Sequence, residues 1–412
     1  MTTPDPTALL QLRLPADDDP RRAEVRGWLQ EHPSPTGADL LEAGYMVPHW
    51  APPWGLDASA SDLVIINSEL ERAGVHRPDY KLARDFVGPL IMATGTGEQR
   101  DRYIRPMLTG EEIWCELFSE PEAGSDLASL TTRATRDGDD YLVSGVKTWT
   151  SQGHLAAFGL LLARTDPGAP KHRGISCFIC PMDAPGLTLQ PVYSMEGEHK
   201  WNLVYLDDVR LSRRDLVGAE NTGWQAARQV LANERMSMSA ESGLAWGHGP
   251  SFADLLRLAQ SLGAAAALSP GQRGRLAAGY AQAVALQVMR MQALGQVSHE
   301  QLGDVIPEVR RTLGDEHGQA MLELWRDLYG PAGVALYPHG RGRDPGPDQT
   351  GPGQTGPDQT GTDEFADLYF FARALTLGGG TSEIQRNVIA ERVLGLPREP
   401  RPAAAQPGRE AR

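Results

Sequence analysis

One carboxylate in the chain has surroundings that favour acid–base chemistry. Glu234 lies in residues 224–238, WQAARQVLANERMSM, where the spacing of apolar residues predicts a helix. At helical spacing its face is shared by Ala227, Val230, Leu231 and Met238. An apolar face keeps water from a carboxylate, which raises its pKa toward the range of a general base. A surface Glu that pairs with a nearby Arg is the simpler alternative.

A glycine-rich stretch near the end of the chain is a second chemical feature. Residues 378–386 read GGGTSEIQR, and the residues after the glycines favour a helix start. Ser382 and Gln385 fit the S-x-x-Q capping box. Backbone amides and the helix dipole at such a start attract anions, so the stretch can seat a pyrophosphate. The pattern does not identify a ligand by itself, because many glycine-rich loops precede helices.

Two further segments combine hydroxyls, an aromatic ring and turn-forming residues. Residues 118–126 read FSEPEAGSD, and residues 149–151 read WTS. An ordinary turn between a helix and a sheet is one interpretation, because Pro, Gly, Ser and Asp favour turns. The order and spacing of these residues are too particular for that. Together with residues 378–386, they resemble the flavin and thioester contacts of acyl-CoA dehydrogenases.

The resemblance implies an FAD cofactor and names its contacts in this chain. The cofactor-binding residues implied are Phe118, Ser119, Trp149, Ser151, Gly380, Thr381 and Gln385. The resemblance assigns Ser125 to the CoA part of the substrate. Gly124, beside it, is expected to permit a sharp turn and a close backbone approach.

One departure from the family pattern concerns the catalytic base. Many members read Glu-Gly-Thr where this chain has Gly379, Gly380 and Thr381. The resemblance offers Glu234, which matches the base position that other members use on an earlier helix. We therefore predict that Glu234 removes the α-proton. The missing side chains at Gly378 and Gly379 could also admit a branched or bulky acyl chain.

The activity implied is FAD-dependent dehydrogenation of an acyl-CoA thioester to a trans-2-enoyl thioester, with electrons passed to an electron-transfer flavoprotein. Two other interpretations stay open. The chain could be a flavin-binding, non-catalytic partner in a heteromeric dehydrogenase, although the presence of Glu234 favours the enzyme. It could also be a flavin monooxygenase or oxidase on the same fold, but those usually lose the signature that residues 123–126, AGSD, retain.

Helical patterns precede and follow a block rich in strands. Apolar residues recur at three- and four-residue spacing in 61–70 and 98–107, which predicts helices. From about residue 112 the chain changes to short runs rich in Val, Ile, Leu and Thr. Residues 141–150 and 203–209 predict strands. Helical patterns return beyond Gly223.

This order resembles the acyl-CoA dehydrogenase fold over residues 24–398. We therefore expect an α+β protein with three domains. They are an N-terminal helical domain in 1–111, a middle β-barrel or sandwich domain in 112–218 and a C-terminal helical bundle in 219–400. The resemblance also implies a homodimer or homotetramer, with a heterotetramer as a further possibility.

A tandem repeat interrupts the last domain. Residues 346–360 read GPDQT, GPGQT and GPDQT, without an apolar residue. Such a segment cannot bury enough area to offset the entropy of ordering. We expect a disordered surface loop over residues 340–363.

Composition excludes several classes of function. The 412 residues carry a formal net charge of −14, which disfavours binding to a nucleic-acid backbone. No apolar stretch reaches the roughly 20 residues needed to cross a bilayer. The first twenty residues lack the features of a signal peptide.

The cysteines indicate a reducing compartment. Cys115, Cys177 and Cys180 are too few for a disulfide framework, so we expect a cytoplasmic protein. Cys177 and Cys180 spell CxxC, but they fall in a predicted strand and should face opposite sides. With no second Cys or His pair, we expect no metal site there.

Overall fold

The computed structural model describes residues 15–78, 82–195, 197–239, 251–261, 268–295, 305–330 and 368–398. The predicted disordered loop over 340–363 lies outside these residues.

Helices form the described N-terminal part. They are α1 (Pro20–Glu31), α2 (Gly37–Glu42), α3 (Ala60–Arg72), α4 (Gly88–Thr94) and α5 (Gly97–Thr109), with a π-helical turn, Leu82–Val87, leading into α4. The helices predicted in 61–70 and 98–107 are confirmed as α3 and α5. Each begins at a capping box, Ser59 with Asp62 and Thr96 with Gln99, which satisfies backbone amides that the helix leaves free.

The middle part is one mixed seven-stranded sheet. Its strands are β1 (Trp114–Leu117), β2 (Arg133–Asp137), β3 (Asp140–Lys147), β4 (Phe158–Arg164), β5 (Ile175–Pro181), β6 (Leu187–Tyr193) and β7 (His199–Ser212). The order is β1-β4-β2-β3-β7-β6, and β5 pairs with β4. The strand predicted in 203–209 is confirmed within β7. The strand predicted in 141–150 ends earlier, at Lys147, because the following residues form a loop that binds β7.

Helices return after the sheet. They are α6 (Gly223–Ser239), α7 (Phe252–Ser261), α8 (Pro270–Gly295), α9 (Val305–Tyr329) and α10 (Ser382–Val388). The expected α+β architecture, with helices on both sides of a β block in the chain, is confirmed. None of the described helices is both long and apolar enough to cross a membrane.

The sheet separates two hydrophobic cores. One face packs with the N-terminal helices and α6, and the other face encloses a core made mostly of sheet residues. Cys177 belongs to the first core and Cys180 to the second, so the prediction that they face opposite sides is confirmed. On β1, Trp114 faces the helices and Cys115 the other core. Glu116, two residues after Trp114, therefore lies on the helix-facing side, toward α6.

Candidate active site

The first predicted segment begins where β1 ends. The Lys147 ammonium donates to the Phe118 carbonyl at 3.0 Å, and the Thr148 amide donates to the Ser119 carbonyl at 2.9 Å. Phe118 is buried and Ser119 half-buried. These bonds hold Ser119 beside the segment that leads to Trp149, so the fold brings two of the predicted segments together.

A buried ion pair fixes this junction. Glu120 Oε1 lies 2.8 Å from Lys147 Nζ, and its carboxylate also accepts from the backbone amides of Thr131 and Thr132 at 2.7 and 2.9 Å. Burial lowers the pKa of Lys147 to about 8, although the Glu120 charge opposes this. Burial would raise the pKa of Glu120, but Lys147 and the hydrogen bonds outweigh it and bring the pKa to about 2. Sequence reasoning missed this pair, because 27 residues separate its members.

The loop after β3 is pinned to β7. Thr150 exchanges two backbone hydrogen bonds with Asn202, at 3.0 and 3.1 Å, and its carbonyl also accepts from the Asn202 side chain. Trp149 has a left-handed φ of 58°, is 61% exposed and lies edge-on to Trp201 at 5.8 Å. Ser151 is exposed. Bulky residues rarely adopt such a φ, which indicates that the surrounding bonds impose it.

The AGSD segment lies in an exposed turn. Asp126 pairs with Lys171 at 2.7 Å and accepts from Ser129. Ser125 is exposed, as a substrate contact requires. Gly124 does not have a left-handed φ, and a Cβ built on it would meet nothing within 4 Å. The backbone of the turn itself therefore does not depend on a glycine, and the close backbone approach expected at Gly124 stays a prediction.

Glu234 is buried in α6 at 8% exposure. Val230, one turn earlier, and Ala227, two turns earlier, are fully buried. The helix packs against the π-helical turn, β5 and α9. The burial expected for this carboxylate is thus present, and its role as a base stays a prediction.

Gly379 lies directly against Glu234. It has a left-handed φ of 61°, and a Cβ on it would be 2.7 Å from Glu234 Oε1 and 2.6 Å from Arg311 Nη1. The space that the glycine leaves is therefore filled by a carboxylate and a guanidinium. In this structure Gly379 does not border an open space, and the acyl chain that the site admits stays a prediction.

A second carboxylate faces the same region from the sheet. Glu116 on β1 has its Oε1 closed to solvent, with no hydrogen-bond partner among the described residues. Burial, and then the nearby Glu234 charge, raise the pKa of Glu116 well above its ordinary value. Because β1 leads directly to Phe118 and Ser119, it connects Glu234 with the predicted flavin contacts.

The glycine-rich turn ends in a cap different from the predicted one. Thr381, not Ser382, caps α10, because its hydroxyl accepts from the Ile384 amide at 3.3 Å. Ser382 is the first residue of the helix and is buried. Gln385 is also buried, and its side chain donates to the Gly379 carbonyl at 3.3 Å. Binding of a pyrophosphate at this helix start stays a prediction. One backbone amide of this short helix is already hydrogen-bonded to the Thr381 hydroxyl.

Contacts between aromatic rings link the C-terminal segment to the sheet. Trp201 stacks on Phe371 with ring centroids 6.4 Å apart, and Lys200 lies over the same Phe371 ring. Trp201 also touches Trp149. The loop that carries Trp149 and the segment that leads to the glycine-rich turn are thus joined through Trp201.

Comparison with known proteins assigns the family. The chain matches the acyl-CoA dehydrogenase N-terminal domain over residues 17–111, the middle domain over 115–209 and the C-terminal domain over 221–394. It belongs to the acyl-CoA dehydrogenase family, a class of oxidoreductases.

Curated relatives agree with this assignment. The acyl-CoA dehydrogenase IpdE1 of Mycobacterium tuberculosis is 32% identical over 92% of this chain and 97% of its own length. The acyl-CoA dehydrogenase FadE34 of the same organism is 37% identical over 87% of this chain. The match spans 46% of the length of FadE34.

Solved structures in this family share the fold. The Tcur3481-Tcur3483 steroid ACAD matches with a TM-score of 0.70 and 27% identity, over 97% of this chain and 100% of that one. The ChsE4-ChsE5 complex from Mycobacterium tuberculosis matches with a TM-score of 0.67 and 28% identity, over the same shares.

Proposed function

We propose that this protein is an FAD-dependent acyl-CoA dehydrogenase. It converts an acyl-CoA thioester to the trans-2-enoyl thioester and passes the electrons to an electron-transfer flavoprotein. The observation that carries the proposal is the position of Glu234. The carboxylate is buried in α6 against Gly379, where the usual base of the family is missing, and it lies near the strand that leads to Ser119.

The residues at the end of β1 and in the loop after β3 fit a flavin. Within the described residues, the hydroxyls of Ser119 and Ser151 have no protein hydrogen-bond partner, so both can donate to a ligand. Trp149 is largely exposed beside them and offers a ring surface for packing. Phe118, Gly380, Thr381 and Gln385 complete the proposed cofactor contacts. When bound, FAD would accept the β-hydrogen with its electron pair as hydride.

The chain supplies the proton chemistry and the positioning. Glu234 takes the α-proton, so the bond to that proton breaks as the Cα–Cβ double bond forms. Ser125 holds the CoA part of the substrate. The ion pair of Glu120 with Lys147 fixes the backbone around Ser119, and precise positioning of this kind accounts for much of the rate in such reactions.

Loss of flavin absorbance in the purified, anaerobic protein is the test of this function. The panel of thioesters should contain straight-chain, branched and steroid-derived acyl groups, each on CoA and on a carrier protein. The steroid-derived member is included because a relative of 27% identity is described as a steroid ACAD. Bleaching by at least one thioester is expected. Retained absorbance with every thioester would contradict the proposed activity, and a preparation without flavin would contradict the cofactor.

A flavin-binding partner subunit is the second candidate. It is favoured by one observation, the match to a complex of two different chains, ChsE4 and ChsE5. Flavin that stays oxidised alone but bleaches after a second family chain is added would support this role.

The three cysteines, which are all buried and form no disulfide, support a cytoplasmic location.

We expect the working unit to be an oligomer. On α8, Tyr280 and Val284 are 60% and 45% exposed, and such apolar faces mark subunit contacts. Light scattering of the purified protein should therefore give at least twice the chain mass of 44.7 kDa. A fully active protein of the single-chain mass would contradict this.

Replacing Gly379 with alanine should lower the rate of flavin reduction by roughly up to 10²-fold. An added Cβ would force Glu234 or Arg311 to move, and small displacements of catalytic groups cost this much. Alanine would also be strained at a φ of 61°. Gly274→Ala on α8 is the matched control, since its Cβ would meet nothing within 4 Å. Equal rates in the two variants would show that Glu234 does not depend on the absence of a side chain at Gly379.

A further inference from the structure

Helix α9 buries an unusual number of polar side chains. Its buried polar residues are Arg310, Arg311, Thr312, Asp315 and His317. Burying a charge costs several kcal/mol unless it is paired, so a buried guanidinium needs partners of opposite charge or dipole. Arg311 is the most enclosed of them, with a side chain 1% exposed.

The Arg311 guanidinium is held from two sides. Its Nη2 donates to the Gly378 carbonyl, and its Nε lies 3.5 Å from Asp315 Oδ2, which is an ion pair without hydrogen-bond geometry. Its two terminal nitrogens and Glu234 Oε1 all lie within 2.8 Å of the point where a Cβ on Gly379 would be. The positive charge is therefore aimed at the space that the candidate base borders.

Among the described residues, other charged groups packed near α6 are Glu116 and the pair of Arg84 with Asp85. Glu116 on β1 is a second carboxylate and disfavours a charge on Glu234. On the π-helical turn that packs against α6, Arg84 is bonded to Asp85 at 2.6 Å. Burial and a neighbouring carboxylate both favour a neutral Glu234, so an ionised base at neutral pH needs a nearby positive charge.

We propose that Arg311 is a positioning residue, which keeps the Glu234 carboxylate ionised and directs it to the space beside Gly379. Asp315 and the Gly378 carbonyl fix the guanidinium in the orientation that this requires. The inference rests on the proposed function only in that Glu234 is the base. It concerns a property of the resting protein, the protonation state of Glu234, which is measured without substrate.

A purely structural role for Arg311 is the competing explanation, because the bond to Gly378 also anchors the glycine-rich turn. The two roles predict different outcomes for a lysine. Lysine keeps the charge but loses the planar fork of the guanidinium. If the positive charge sets the protonation of Glu234, the pKa of Glu234 in Arg311→Lys should match that of the wild type. If the planar guanidinium is needed instead, the pKa in Arg311→Lys should match that in Arg311→Met.

The experiment is an infrared pH titration of the purified holoenzyme. The carboxylic-acid band that disappears in Glu234→Gln reports the protonation of Glu234. In Arg311→Met, its midpoint should rise by roughly 1–3 pH units, the shift typical of losing an opposite charge nearby. Arg311→Lys should stay close to the wild type. Arg311→Met leaves the Asp315 charge without its partner, and this charge could itself raise the pKa of Glu234. The double variant Arg311→Met/Asp315→Asn removes that charge, and the rise in the Glu234 midpoint should persist in the double variant.

The result that overturns the proposal is a Glu234 midpoint unchanged in Arg311→Met, or a rise that vanishes in the double variant. If Arg311→Met does not fold, Arg311→Gln replaces it. A raised titration midpoint of Glu234 in Arg311→Lys would also contradict a role for the charge. Activity assays are run in parallel. A wild type that reduces no flavin contradicts the proposed function, whereas the infrared midpoints decide the role of Arg311 in either case.

Discussion

Replacing Glu234 with glutamine should lower the rate of flavin reduction by about 10²–10⁴-fold, the usual contribution of a positioned base. Glutamine has nearly the same size but cannot take the α-proton. Arg311 keeps Asp315 and the Gly378 carbonyl as partners, so folding and flavin content should survive. The measurement is rapid-mixing absorbance of the anaerobic protein with the best thioester of the panel.

The matched control for this variant is Glu71→Gln. Glu71 is also a helical glutamate, in α3, but it is exposed. Its rate should equal that of the wild type. If Glu234→Gln still bleaches its flavin as fast as the control, the base must be another group, and Glu116, the second carboxylate of this region, would be the next residue to change.

Replacing Glu120 with glutamine should destabilise the protein by about 3–5 kcal/mol, the usual effect of removing one partner of a buried ion pair. Lys147 has no exposed surface and would lose the carboxylate at 2.8 Å. Because this pair holds Ser119 beside the β3 loop, flavin content should fall as well. The urea midpoint and the flavin-to-protein absorbance ratio measure the two effects.

The double variant Glu120→Gln/Lys147→Met is the control for the stranded charge. It removes both ions, so it should recover much of the lost stability. A single variant that unfolds at the same urea concentration as the wild type would show that the pair does not hold this junction together.

The same pair predicts a dependence on pH. The folded-state pKa of Glu120 is about 2, below the ordinary value of 4.5, so its contribution is present above pH 4.5 and is lost as the pH falls toward 2. Lys147 has a folded-state pKa of about 8, below the ordinary value of 10.5. Between pH 8 and pH 10.5 the unfolded chain therefore binds more protons at this residue than the folded protein does. The contribution of Lys147 to the free energy of unfolding thus rises with pH in this range. In Glu120→Gln the acid-side loss due to Glu120 should be absent.

The sequence determined the elements whose signals are local. The apolar spacing in 61–70 and 98–107 gave α3 and α5, because three or four residues complete a helical turn. The alternation of a strand was enough to place Cys177 and Cys180 on opposite faces. The motifs at 118–126 and 149–151 were enough to indicate the family, since their residues lie close together in the chain.

Only the tertiary structure decided what surrounds these residues. Lys147 and Glu120 pair across 27 positions. Arg311 and Glu234, which lie in separate parts of the chain, both border Gly379. No periodicity reports such contacts, because they arise when helices pack on the sheet. The cap of α10 also depended on the backbone, since Thr381 has the extended conformation of an N-cap and Ser382 is already helical. The sequence therefore identified a carboxylate that could act as a base, and the fold supplied the cation, the second carboxylate and the filled space beside Gly379 that determine its environment.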